Sequence, residues 1–97
     1  MIKDLKDEQL AELAQVMLNL KDSQEYVAFL KDVFTESELS TLLLRWKVAK
    51  MLDDGVPYTK IEKETGASSA TIAKVSEFLK YGFNGYRTAL DRIKRNN

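Results

Sequence analysis

Three interruptions limit what this chain can fold into. Gly55 with Val56-Pro57, then Gly66, then Gly82 cut the second half of the sequence into segments long enough for short helices and little else. Proline lacks an amide proton and disfavours helical geometry at the residue before it, so a helix must end before Val56 and the next begins at Tyr58 or Thr59. Gly66 can take the left-handed conformation that closes this fourth helix at Thr65. Ser68 or Ser69 then caps a fifth, which runs to about Lys80 and ends at Gly82. Asn84 is placed to cap a last helix from Gly85 to about Lys94.

Ahead of the first break, apolar residues recur at helical spacing. Leu10, Leu13, Ala14, Met17 and Leu20 share a stripe, with Asp7 and Glu8 at the positive end of the helix dipole, and this helix is expected to end near Asp22. Tyr26, Phe29, Leu30 and Val33 predict a second short helix before Phe34. Thr35-Glu36-Ser37-Glu38 fits a capping box, in which the Thr35 hydroxyl takes a backbone N–H while Glu38 reaches back. It opens a third helix, striped by Leu39, Leu42, Leu43, Trp46 and Ala49, that continues to Asp54. No run alternates with period two, and no segment is long and polar enough to divide domains. The expectation is an all-α chain of about six helices forming a single domain over 1–97.

Composition removes several kinds of chemistry. The chain has 97 residues with no histidine and no cysteine, which excludes disulfides, the usual zinc ligands and any nucleophile activated by imidazole. No metal site, cofactor or enzymatic activity is expected, since the remaining carboxylates sit at exposed positions. Asp53-Asp54, beside Gly55, read as solvated end residues of a helix. No apolar run approaches the ~20 residues of a membrane span and residues 1–10 are charged, so no membrane association and a cytoplasmic address are expected.

Formal net charge is zero, but the sum conceals a division. Residues 1–44 hold four Lys/Arg against nine Asp/Glu, whereas residues 45–97 hold eleven against six. An electropositive half can meet phosphate while the acidic half faces elsewhere.

That basic half contains a helix of about seven residues, a turn with glycine, and a second helix, which is the helix-turn-helix plan. Ile61, Ala67, Ile72 and Val75 are apolar where two crossed helices must touch. Ser68, Ser69, Ala70, Thr71 and Lys74 lie outward at the start of the second helix. Small side chains there let a helix enter a DNA major groove, and the hydroxyls can bond bases or phosphates. Lys60 and Lys63 lie on the preceding helix, the one that crosses the DNA backbone in this motif. Glu62 stands where such motifs keep a small residue, which points to a more open crossing. Arg87, Arg92, Lys94 and Arg95 read as a solvated helix face, and Tyr81, Phe83 and Tyr86 as an aromatic cluster that packs the last helix down.

The run LLLRWKVAKMLDDGVPYTKIEKETGASSATIAKVSEFLK resembles the core of the tryptophan repressor family, most specifically in TGASSATIAKVS. It is more similar still to the YerC/YecD-type branch, as is YGFNGYRTALDRI. The resemblance implies six helices and an intertwined homodimer. It assigns residues 1–54 to dimerisation helices, 58–80 to the helix-turn-helix and 84–95 to a C-terminal helix. It also implies double-stranded DNA as partner and a palindromic operator with half-sites one helical turn apart. Independently, Trp46, Phe29, Phe34 and Leu42 to Leu44 exceed what one thin layer of helices can cover, which also favours pairing.

The resemblance further implies an effector pocket at Thr35, Arg45, Lys74, Val75 and Phe78. Thr35 and Arg45 match the family's threonine and third-helix arginine. Lys74 keeps the charge of a second arginine without its planar fork. Val75 replaces a glycine that leaves room for an indole, and Phe78 replaces a serine that contacts the amino group. These departures argue against L-tryptophan. Either Val75 and Phe78 fill the space themselves, the reading adopted here, or they reshape it for another small-molecule effector; Arg45 would then serve as an ion-pair partner. The whole is read as a sequence-specific DNA-binding transcriptional regulator acting as a repressor, with a helical protein-interaction module on the same scaffold as the alternative.

Overall fold

A computed structural model of the chain describes residues 5–96, and all regular structure among them is helical. The order is α1 Leu5–Leu18, α2 Ser23–Val33, α3 Glu36–Asp53, α4 Tyr58–Thr65, α5 Ser69–Tyr81 and α6 Gly85–Arg95. The chain divides into two compact units, the first ending at Leu39 and the second beginning at Ser40.

In the first unit, local hydrogen bonds decide where helices start. Asp22 does not end α1; its carboxylate accepts the Glu25 N–H at 3.1 Å and caps α2. The Glu25 carboxylate in turn accepts the Lys21 N–H at 2.7 Å. Helix α1 has already stopped at Leu18, because the Asn19 and Leu20 amides tighten onto the Val16 and Met17 carbonyls, both at 3.1 Å. At the start of α3 the expected capping box forms in full. The Thr35 hydroxyl accepts the Glu38 N–H at 3.1 Å, and Glu38 accepts the Thr35 N–H at 2.8 Å. These bonds to Thr35 hold the Glu38 carboxyl below the usual carboxylate range. Neither α1 nor α2 has a buried residue, and Leu10 and Leu13 are 56% and 40% exposed.

The second unit holds the core. Val48 and Ala49 of α3, Ile61 of α4, Ala67 between α4 and α5, and Ile72 and Val75 of α5 form one buried cluster, flanked by Leu44, Trp46, Met51, Leu52, Val56 and Tyr86. Each isoleucine or valine withdrawn from water there contributes about 1.5–3 kcal/mol. The α3–α4 corner follows from Gly55, whose φ of 78° is left-handed. Its N–H bonds the Leu52 carbonyl and that of Val56 bonds Met51, both at 3.0 Å, before Pro57 precedes α4. The last turn departs from expectation at two points. Asn84 precedes α6 in the left-handed conformation, φ 67°, and makes no side-chain cap. Tyr86 packs against the core, but Tyr81 and Phe83 are 83% and 94% exposed, so these three do not form a packed cluster.

The larger correction concerns charge. Asp53 is not a solvated end residue: its side chain is 11% exposed and lies 2.9 Å from the Arg87 guanidinium and 2.5 Å from the Lys94 ammonium. Arg87 also binds Asp91 through Nη2 at 2.9 Å and Nε at 3.0 Å. Arg87 and Lys94 are therefore tied down, while Arg92 and Arg95 remain exposed. Charge at each position says nothing about which carboxylate it will meet, and the helical repeat of 87, 91 and 94 was the available signal.

The bonds from Arg87 and then Lys94 hold the Asp53 carboxyl below its ordinary range and hold the Lys94 ammonium above its own. A carboxyl that is more acidic folded than unfolded stabilises fully at neutral pH, and that contribution is lost as pH falls through the folded value. Asp53→Asn should therefore lower the urea midpoint at neutral pH, with the gap to wild type closing below about pH 4. A gap that is the same at both pH values would show that the ionised carboxylate is not what stabilises.

Candidate nucleic-acid interface

The segment between α4 and α5 spans three residues, and each has a local task. Gly66 lies at φ 75°, closing α4 through its N–H to the Glu62 carbonyl at 2.9 Å. Ala67 is 5% exposed and sends its methyl into the core. Ser68 caps α5, its hydroxyl accepting the Thr71 N–H at 3.1 Å and donating to the Thr71 hydroxyl at 3.0 Å. The Thr65 hydroxyl completes the turn by donating to the Ile61 carbonyl at 2.7 Å and accepting the Ala67 N–H at 3.1 Å. A turn so thoroughly bonded fixes α5 relative to α4 with little freedom.

Small side chains in TGASSAT thus have two origins. Gly66, Ala67 and Ser68 satisfy the turn, while Ser69 and Ala70 stand exposed on the first turn of α5. Thr71 is half-buried beside Ser68. Lys74 is exposed one turn on, and Ala73, which sequence reasoning passed over, is exposed on the same face as Ser69, four residues earlier. Alanine carries no polar atom to single it out, so only the helical repeat could have marked Ala73. Glu77 is exposed one turn beyond and confines the phosphate-compatible face to the first two turns.

On α4, Thr59, Lys60, Lys63 and Glu64 line a shallow open groove. Lys60 lies 4.0 Å from Glu64, but with side chains 62% and 48% exposed the pair is weak and leaves the ammonium available. Lys63 and Lys74 form no ion pair among the described residues. Glu62 is exposed, and the helices meet at Ile61 instead, so its charge does not enter the crossing.

Of the residues ascribed to an effector pocket, Thr35 belongs to the first unit and Arg45, Lys74, Val75 and Phe78 to the second. Thr35 is occupied by its capping box, and Lys74 faces solvent. Val75 is 2% exposed within the core. Phe78 is 42% exposed and does not fill the interior. With Arg45, Leu42, Trp46, Phe83 and Tyr86 it borders an open hollow of about 560 Å³ among α3, α5 and α6. Arg45 makes no ion pair among the described residues.

Six helices with this turn between the fourth and fifth can be compared with known proteins. A family model described as Trp repressor protein matches residues 8–94. The chain belongs to the Trp repressor family. Within it, the chain is 45% identical over 93 residues to the uncharacterized protein YerC of Bacillus subtilis (strain 168), covering 96% of this chain and 89% of YerC. Two solved structures agree in fold. A candidate Trp repressor from Staphylococcus aureus superposes with TM-score 0.82 at 39% identity, over 90% of this chain and 87% of that one. A TrpR-like protein from Eubacterium eligens gives 0.83 at 40% identity, over 90% of each chain. The likeness to the Trp repressor family includes α4, the turn and α5, all inside the matched region.

The turn chemistry carries a measurable cost if disturbed. Gly66→Ala places a side chain in the left-handed region with no compensating contact and should destabilise by about 1–2 kcal/mol. Ser68→Ala removes the cap and should cost about 1 kcal/mol. Urea unfolding at pH 7 measures both, and wild-type midpoints would mean the turn tolerates other geometries.

Proposed function

We propose that this member of the Trp repressor family is a sequence-specific DNA-binding transcriptional regulator acting as a repressor. It reads a palindromic operator as a homodimer and does not require L-tryptophan. The observation that carries the reading is the bonded turn that holds α5 with Ser69, Ala70, Ala73 and Lys74 exposed at its N-terminal face and Lys60 and Lys63 exposed on α4. Cations on the crossing helix meet phosphates, while the small face of α5 approaches base edges. Such a target implies a cytoplasmic address. Among the described residues no helix is long and apolar enough to cross a membrane.

Pairing is supported by the first unit, where α1 and α2 hold no fully buried residue and leave leucines of α1 and valines of α2 exposed. A helix pair with that much uncovered apolar surface gains from a second copy. Independence from L-tryptophan is supported by Val75, whose side chain lies in the core where the family keeps a glycine, and by Lys74, which lacks a bidentate fork.

Selection of random duplexes on the purified protein should recover a palindrome whose affinity is unchanged by added L-tryptophan. Light scattering should give twice the chain mass. Lys60→Ala and Lys63→Ala should each weaken all sequences alike and lower the slope of log affinity against log salt by about 0.9. Lys74→Ala should instead relax preference at particular base pairs. No enriched duplex would favour a helical protein-interaction module, and a monomer in solution would overturn the homodimer.

A further inference from the structure

Resting on that DNA-reading assignment, the structure assigns Asp53 a role beyond stabilising the fold. We infer that Asp53 is a positioning residue for DNA reading, which by holding Arg87 and Lys94 fixes the pose of the helix-turn-helix on the second half of α3.

Connectivity places Asp53 at a closing point. It is the last residue of α3, joined through the Gly55 corner to the start of α4. Helices α4 and α5 pack together, α5 packs on α6, and α6 returns two cations to Asp53. The four segments therefore form a ring that an ionic clasp closes between α6 and the end of α3. Leu90 of α6 is buried and Tyr86 reaches the core, but apolar contact constrains distance more than angle. The clasp supplies direction. Arg87 uses Nη1 for Asp53 and Nη2 with Nε for Asp91, which orients the guanidinium plane, and Lys94 takes the other Asp53 oxygen.

The placement is also unfavourable on its own terms. A carboxylate at a helix C-terminus opposes the dipole, and an 11%-exposed one is largely desolvated. Asp54, exposed beside it, could serve the surface equally well. A partly buried ionic clasp at this point sets one defined arrangement in addition to the stability it contributes. In a two-headed reader, the pose of each helix-turn-helix sets the half-site spacing that both heads can engage together.

The test uses the full-length protein and the operator selected by wild type, together with duplexes whose half-site spacing is changed by one base pair. Asp53→Asn should remain helical by circular dichroism at 25 °C and lose operator affinity by about fivefold or more, the size that residues remote from a ligand can carry. Its salt slope should match wild type, because no phosphate contact is removed. Its preference for the correct spacing over the altered ones should shrink. Lys94→Met, a change at a half-exposed residue, should show the same pattern more weakly and decides the matter if Asp53→Asn does not fold. Wild-type affinity and spacing preference in a folded variant would overturn the inference and leave the cluster purely stabilising. A lowered salt slope in Lys94→Met would also overturn it, by showing that the cation touches DNA. Failure of wild type to enrich any duplex would instead remove the DNA-reading assignment, and this inference with it.

Discussion

Burial of Ile61, Ala67 and Ile72 in one cluster is the constraint on which the second unit rests. Ile61 and Ile72 are fully buried, and Val48 and Ala49 of α3 close over the same cluster. Helices of eight and thirteen residues would be marginal alone, so their geometry comes from this shared core. The turn then converts burial into orientation. Ala67 can enter the core only if Gly66 turns left-handed and Thr65 bonds the backbone on both sides. Placement of the exposed face of α5 is thus a consequence of what its opposite face must bury.

The two units solve the problem of a small chain differently. In the second, a compact cluster and a clasp of charges leave the basic surface outward. In the first, capping bonds define two helix starts without a core beneath them: Asp22 for α2 and the reciprocal Thr35–Glu38 pair for α3. Caps set where helices begin, but each contributes about 1 kcal/mol and none replaces burial. Leu10, Leu13 and Val16 stay exposed, and it is on them that the proposed pairing with a second copy rests.

Most of this architecture was legible because it depends on local signals. Gly55, Pro57 and Gly66 fix breaks through backbone geometry alone, and the Thr35 capping box is a four-residue pattern. The misreadings have two causes, a choice among neighbouring hydrogen bonds at Asp22 and contacts across space or a bend at the others. Asp22 looked like an end and is a beginning, because adjacent carbonyls had already stopped α1. Asp53 looked solvated since its partners lie in the last helix. Tyr81 and Phe83 looked like core because aromatic residues usually bury, yet the bend through Gly82 and Asn84 leaves both rings in solvent. At the candidate interface, Lys60, Lys63 and Lys74 were found by charge, while Ala73 had no chemical mark.

The proposed independence from a corepressor draws on the same geometry. A corepressor can switch a reader only if its absence leaves the reading helix free to move. Here α5 is held on its inner face by Ile72 and Val75, at its start by Ser68 and the bonded turn, and along its far half by α6, which Asp53 anchors. Val75 contributes twice: its side chain adds to the core and occupies volume that a glycine would leave open. The hollow bordered by Arg45 and Phe78 lies beside that core, whose buried residues do not line it. With differential affinity for two poses of α5 as the requirement for switching, the proposed independence from L-tryptophan rests on how many of the chain's own side chains already favour one pose.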